Sequence, residues 1–350
     1  MKLWKNTKGI ILEQKKEPAL SRDLQQFISS RPFSEEAEPL AQGEDPTLDR
    51  LIRLCEEAHI IDERDGRPLD KKLSKWKEQS LQILVGDAID EEPYVSSQIN
   101  PMLKNSEEAA AGLRLLHEAM KPQETYFAVY REMYDLNSRI PQKIGEFPVK
   151  KVGGRYPMEQ RAIRKMGKNA LIIGVGALIH LCRAAYKGIP QTTCFVTVAG
   201  NCIGNPCNLE VTIGTPVARL LDRCGLIQDP TYLMENGAMH GVFISDPENT
   251  LIRPNTSAVL AFREEKRTQR PTACMSCSRC IDVCPEGLNP LELYRASLNN
   301  RQKTVLALGI ENCIGCSSCS YICPSKLELS YTIISMQQKL KKGKESRDED

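Results

Sequence analysis

What the 350-residue sequence lacks narrows the reading first. No stretch reaches the ~18 consecutive apolar residues of a membrane-spanning helix. The opening MKLWKNTKGIILEQKK has an apolar stretch of only a few residues, which reads neither as a secretory leader nor as a span. Charge of one sign is also missing. The net charge is +2, so bulk electrostatics points neither to nucleic acid nor to an acidic partner. With no leader pattern, a disulfide framework is not expected in a chain this long. A soluble, cytoplasmic protein is expected, able to dock peripherally on a larger membrane complex. Hydrophobic content of 41% and charged content of 26% make the chain globular, with length for two or three domains.

Cysteine is what the chain has in abundance, and eight of its fourteen fall into two runs. The first is Cys274-x2-Cys277-x2-Cys280-x3-Cys284-Pro285. The second is Cys313-x2-Cys316-x2-Cys319-x3-Cys323-Pro324. This is the bacterial ferredoxin pattern written twice, suited to two [4Fe–4S] clusters. In that pattern the fourth cysteine of each run ligates the other cluster. Cys274, Cys277, Cys280 and Cys323 are thus expected to hold one cluster, and Cys284, Cys313, Cys316 and Cys319 the other. Three cysteines at x2 spacing curl a loop around one cluster face, and the proline turns the chain away. Zinc accepts paired CxxC motifs too, but two tandem four-cysteine runs ending in Cys-Pro are not a zinc pattern.

Ahead of these runs, residues 1–45 read as an irregular arm. Asp45 and Pro46 look like the cap and first residue of a helix with Leu48, Leu51, Ile52, Cys55 and Ala58 on one face. Residues 62–79 are highly charged and read as a loop or exposed helix. Strands are expected at 81–85, 125–130 and 170–173, with helices over 105–120 and 177–187. That order gives a mostly parallel α/β layer over 46–190. Residues 191–262 read as a compact β-rich module, and 263–338 as the cluster domain. The charged tail 339–350 is expected to fray.

Four segments carry a family resemblance. Leu84–Tyr94 resembles an "NGAECEPY" segment. Tyr156-Pro157-Met158-Glu159-Gln160 resembles "YPxGxEK". Val196–Gly200 through Gly214–Val217 resembles "VTVTG…RIGTP" of a soluble-ligand-binding β-grasp module. Asn236–Gly241 resembles "GGPMMG". Together with the cysteine runs, they make residues 45–335 similar to the RnfC component of the Rnf electron-transport complex. They are similar too to its relative, the cobalamin reductase of propanediol utilisation. The resemblance implies a Rossmann-like α/β domain of the complex I flavin-subunit type, a β-grasp module and a ferredoxin-like α+β domain. It also implies FMN and NADH, with Glu91, Glu92 and Glu159 in the flavin region.

The chain departs from the family at one place. The family's "GxGGAGFPT" loop brings bare backbone to a phosphate. Here the equivalent Ile60–Leu69 has one glycine and three acids. Those carboxylates argue against FMN. The expected function is therefore an iron–sulfur carrier that relays low-potential electrons between redox partners, a flavoprotein donor or a reductase acceptor. The alternatives are an FMN-containing NADH:acceptor oxidoreductase and an assembly module with structural clusters. Cys194, Cys202, Cys207 and Cys224 could form a third metal site, but their spacing fits small buried side chains better. His240 reads as a surface or packing histidine, and Gly174-x-Gly176 as a fragment of a dinucleotide fingerprint.

Overall fold

The computed structural model describes residues 37–41, 45–132, 140–154, 156–157, 169–263 and 271–348. They fall into two compact units, the larger ending at Arg263.

In the larger unit, α1 (Leu48–Glu57) begins at Thr47, whose hydroxyl accepts from Arg50 N at 3.3 Å. The helix thus starts later than Asp45-Pro46 foretells, because Thr47 satisfies the exposed N–H of the first turn. Leu51, Ile52, Leu54 and Cys55 form its buried face. The charged stretch after it is not a loop or exposed helix. It pairs β1 (Ile61–Asp62) with β2 (Arg67–Pro68) and continues as α2 (Leu69–Ser74). Buried Leu69 and Leu73 fix this segment to the core.

β3 (Ile83–Ala88) is followed by α3 (Ile99–Lys104), which the sequence reading missed, and α4 (Ser106–Met120). Then come β4 (Glu124–Tyr130), the hairpin of β5 (Lys143–Ile144) and β6 (Phe147–Val152), and β7 (Ala170–Gly174). α5 (Val175–Lys187) leaves β7 directly and stops at Gly188 with φ 64°. The sheet order is β5-β6-β4-β3-β7, with β6, β4, β3 and β7 parallel. Its central strands are apolar on both faces, as parallel strands in a layered fold must be. Leu84, Phe127 and Val129 join the large core under α4 and α5, while Val85, Tyr126 and Ala128 pack on the other face. α4 and α5 approach so closely that a Cβ on Gly112 would lie 2.0 Å from the Leu178 carbonyl oxygen.

The strand order has a functional consequence. From β3 the chain steps outward through β4 to β6, then returns to place β7 on the opposite side of β3. The order therefore reverses between β3 and β7. In open α/β sheets the carboxyl ends of strands at such a reversal form the ligand crevice.

The same unit contains a second sheet. β8 (Thr193–Ala199) pairs antiparallel with β9 (Cys207–Thr212), and α6 (Val217–Cys224) follows Pro216. β10 (Tyr232–Glu235), β11 (Val242–Phe243) and β12 (Ala258–Phe262) complete the order β11-β10-β12-β8-β9, in which only β12–β8 is parallel. Arg183 of α5 ties the sheets together. It donates to Glu108 of α4 at 3.0 Å and to Glu210 of β9.

The smaller unit differs from expectation. α7 (Arg279–Val283), α8 (Pro290–Leu298), α9 (Gln302–Ala307), α10 (Ser318–Ile322) and α11 (Leu329–Asp348) make it helical, and among its described residues there is no strand. The ferredoxin-like α+β reading is thereby corrected. Leu293 and Ala296 of α8, Val305 of α9, and Ile333 and Met336 of α11 form its core. The cause is visible in the spacing of Leu329, Ile333, Met336 and Leu340, which is a helical face. The tail is corrected as well, since α11 runs through it to Asp348. Among the described residues no helix is long and apolar enough to cross a membrane.

Candidate metal centre and the crevice of the larger unit

The two cysteine runs fold into the same backbone shape. Ser276 (φ 54°) and Ser278 (φ 59°) of the first match Gly315 (φ 70°) and Ser317 (φ 58°) of the second. Gly287 (φ 64°) and Lys326 (φ 55°) correspond after each Cys-Pro. α7 and α10 are the matching short helices, and Cys284 and Cys323 leave them extended, at ψ 120° and 116°. Left-handed residues alternating with right-handed ones turn successive N–H groups to one side, forming an anion-binding concavity. Ser276 N donates to Cys274 Sγ at 3.4 Å. Backbone N–H groups also reach Cys280 from Ile281, Cys313 from Gly315 and Cys319 from Ser320. Such donors to sulfur are what a thiolate-bound cluster uses to moderate its charge.

The thiols group across the runs. Burial raises the Cys280 thiol above its usual range, and the charges of Cys277 and Cys323 add to the rise. Cys319 is pushed up to about 12 by burial and then by Cys316, Cys313 and Cys284. Cys313 is likewise raised by burial and by Cys316 and Cys284. Thr272 N donates to Ser325 O at 3.0 Å, and Ser325 Oγ donates to Ala273 O at 2.9 Å. These two bonds hold the end of the second run beside the start of the first. Cys284, Cys313, Cys316 and Cys319 line one recess, closed by Leu288, Leu293 and Ile333. A donor set of four thiols in an apolar recess suits an iron–sulfur cluster. Among the described residues no group of three His, Cys, Asp or Glu closes on a single ion. Ligands at the corners of a cubane stand further apart than ligands of one ion.

The surroundings of the two thiol groups differ. Cys274 and Cys277 are exposed, whereas Cys313, Cys316 and Cys319 are half-buried and Cys323 is buried.

In the larger unit the acidic loop after β1 lies in the crevice. Asp62 is fully buried; its Oδ1 accepts from Gly174 N at 3.3 Å and its Oδ2 from Lys72 Nζ at 2.5 Å. Lys72 also pairs with Asp65 at 3.2 Å and donates to Ile172 O at 3.2 Å. Glu63 reaches the first turn of α5, accepting from Gly176 N at 2.7 Å and Ala177 N at 3.0 Å. Burial and the neighbouring Asp62 push its carboxyl up to about 7, against the pull of those donors. Arg64 pairs with Asp87 near the end of β3. Sequence reasoning missed Glu63 as a structural residue. Gly174-x-Gly176 was the available sign, because a Cβ on Gly174 would stand 2.3 Å from Glu63 Oε1.

Glu92 is 6% exposed, so the expectation of solvated loop charges fails for it. It accepts from Met239 N at 2.9 Å and pairs with His240 Nδ1 at 2.6 Å. The "NGAECEPY"-like and "GGPMMG"-like segments therefore meet, and Glu92 holds the imidazole above its usual range. Gly237 is required there, since a Cβ would lie 2.5 Å from Glu92 Oε2. Half-buried Glu91 adds its charge near Arg64 and His240. Glu159 lies outside the described residues.

Of the remaining cysteines, Cys55, Cys182, Cys194, Cys202 and Cys224 are buried. Cys207 Sγ stands 2.9 Å from Cys224 Sγ. Cys194 and Cys202 instead donate to Arg253 O and Asn201 Oδ1.

Fold and thiol geometry define an iron–sulfur protein of the two-cluster class. Comparison agrees: residues 254–327 match a 4Fe-4S dicluster domain and residues 195–243 an SLBB domain. The RnfC-type component of the ion-translocating oxidoreductase complex of Rhodobacter capsulatus is 28% identical over 246 residues. That match covers 65% of this chain and 47% of the relative. The corresponding component of the Na(+)-translocating ferredoxin:NAD(+) oxidoreductase complex of Acetobacterium woodii is 26% identical, over 75% of this chain and 63% of the relative. The chain thus spans roughly half to two thirds of these relatives. A NAD+-reducing [NiFe]-hydrogenase structure aligns with TM-score 0.53 at 12% identity, over 82% of this chain and 60% of that one, which speaks to fold alone. The resemblance to the RnfC family holds for this chain.

Proposed function

We propose that the chain is an electron-relay subunit of a ferredoxin:NAD-type oxidoreductase complex. Cys274, Cys277, Cys280 and Cys323 would hold one [4Fe–4S] cluster, and Cys284, Cys313, Cys316 and Cys319 the other. The carrying observation is the crossed grouping of thiols, in which Cys323 neighbours Cys280 while Cys284 neighbours Cys313 and Cys319. Bound clusters supply one-electron redox chemistry at potentials set by charge, hydrogen bonds and exposure. The chain itself supplies thiolates, N–H donors to sulfur and an apolar recess. The more exposed Cys274 and Cys277 make their cluster the one facing a redox partner.

The larger unit is read as a Rossmann-like layer of the complex I flavin-subunit type with a β-grasp module, serving as a docking body. A cytoplasmic position, peripheral on a membrane complex, is consistent with relatives named as parts of ion-translocating complexes.

The test is anaerobic reconstitution of the full chain. About eight irons and eight sulfides per chain, bleached by dithionite, with no flavin released by acid, are expected. Four irons or fewer would refute the two-cluster reading. Flavin bands bleached by NADH would replace it with the oxidoreductase reading, and clusters that resist reduction with the structural one.

A further inference from the structure

The parallel sheet has one place suited to a nucleotide. Strand order reverses between β3 and β7, and β7 ends in Gly174-Val175-Gly176 at the head of α5. A helix N-terminus reached through glycines offers free N–H groups and a positive dipole end to a phosphate. In this chain the donors are already engaged. Glu63 Oε1 and Oε2 accept from Gly176 N and Ala177 N, and Asp62 Oδ1 accepts from Gly174 N.

We infer that the chain closes this crevice with its own carboxylate, Glu63 standing where a ligand phosphate would sit. Three observations bear on it together. The glycines are needed for the side chain that is there, because a Cβ at Gly174 or Gly176 would meet Glu63 at 2.3 or 2.9 Å. The occupant is fastened, since it sits on the β1–β2 hairpin and Leu69 and Leu73 anchor the following helix in the core. The other charges of the loop are committed as well: Lys72 to Asp62 and Asp65, and Arg64 to Asp87. A phosphate entering here would have to displace Glu63 and meet Asp62 behind it. The residues present thus do not fit the phosphate of FMN. Glu63 is the residue that sets this specificity, excluding phosphorylated flavins and nucleotides from the crevice.

The inference deepens the relay reading by giving it a physical cause, and one experiment separates the two. Thermal midpoints of the full chain are measured in inorganic phosphate and in chloride of equal ionic strength. The pH is about 8, above the value of about 7 to which Glu63 is raised. The wild-type midpoint is expected to be the same in both salts. Glu63→Gly exposes the three N–H groups, and its midpoint should rise by about 3 °C in phosphate at roughly tenfold excess over the dissociation constant. Glu63→Gln still fills the site and should behave as wild type. Equal phosphate response in wild type and Glu63→Gly, or none in Glu63→Gly, overturns the inference. Should Glu63→Gly not fold in chloride, its recovery in phosphate supports closure and failure in both salts overturns it. Flavin found on a wild-type chain that ignores phosphate would sink the relay reading and leave the closure standing.

Discussion

In the smaller unit, backbone donors of two cysteine loops point at thiols. In the larger unit, the donors of the β7–α5 turn point at Glu63. Both are concavities lined by N–H groups, and both follow from local backbone shape. They differ in what approaches them. The turn at Gly174 needs glycine because a carboxylate comes within 2.3 Å of where a Cβ would be. The cysteine loops need left-handed backbone but not bare backbone, so serine stands at Ser276, Ser278 and Ser317. A Cβ on Gly287 would meet nothing within 4 Å. Glycine thus marks a crowded cradle in one unit and only a turn in the other. The lesson is that a Gly-x-Gly before a helix reports close approach, without saying whether the visitor is a ligand or the protein itself.

The sharpest way to break the comparison is to test the crossed thiols. Cys323→Ser alone should lower iron from about eight to about four per chain, and so should Cys274→Ser/Cys323→Ser, since both residues serve one cluster. Cys313→Ser/Cys323→Ser should leave almost none. Iron and sulfide analysis with EPR of the reduced chain reads the result. The reverse pattern in the two double variants would show uncrossed ligation.

Next comes the charge in the crevice. Asp87→Ala leaves the buried Arg64 guanidinium facing the crevice without its carboxylate partner. Removing one member of a buried pair costs about 3–5 kcal/mol. Urea unfolding of the larger unit's transition measures it, and a loss under about 1 kcal/mol would mean that the loop is held by its apolar anchors alone.

Glu63 also writes itself into the pH dependence. Its usual carboxyl value is 4.5 and burial raises it to about 7 in the folded chain. The contribution is therefore fully present below about 4.5 and is lost as pH rises through about 7. In that window wild type should lose up to roughly 3 kcal/mol relative to Glu63→Gln, whose amide does not titrate. Asp90, raised to about 6 by burial, titrates in both proteins and cancels in the difference. Parallel stability profiles for the two proteins would show that the α5 donors hold Glu63 charged throughout.

Much of this molecule is legible in its sequence where chemistry is local. The cysteine runs announce themselves because each residue has a fixed ligand role. The strand–helix alternation from 83 to 187 gives the parallel sheet, and β8 and α6 fall where alternation and Pro216 place them. What escapes is what depends on distant meetings. Glu63 and Gly176 are 113 residues apart, and Glu92 and His240 are 148 apart. From sequence alone Glu63 is one more acid in a charged stretch that repels phosphate; in the fold it occupies the donors outright. The helical smaller unit escapes for another reason, because eight ligands draw attention from the apolar face of Leu329, Ile333, Met336 and Leu340.

The finest distinction lies between the two cysteine loops themselves. Ser276 and Gly315 hold the same left-handed position, at φ 54° and 70°. An L residue pays conformational strain there that glycine does not, while glycine loses more freedom on folding. Ser276→Gly should therefore stabilise the reconstituted chain slightly, by under about 1 kcal/mol. Gly315→Ala should destabilise it by about 1 kcal/mol. Space is not the cause in the second case, as the nearest atom to the new Cβ is Ile334 Cδ1 at an ordinary 3.4 Å. Thermal midpoints of the two variants should thus move in opposite directions. If both fall, and Ser276→Gly also loses iron, then the Ser276 side chain itself braces the Cys274 loop, and the two runs are alike in backbone but not in what holds them.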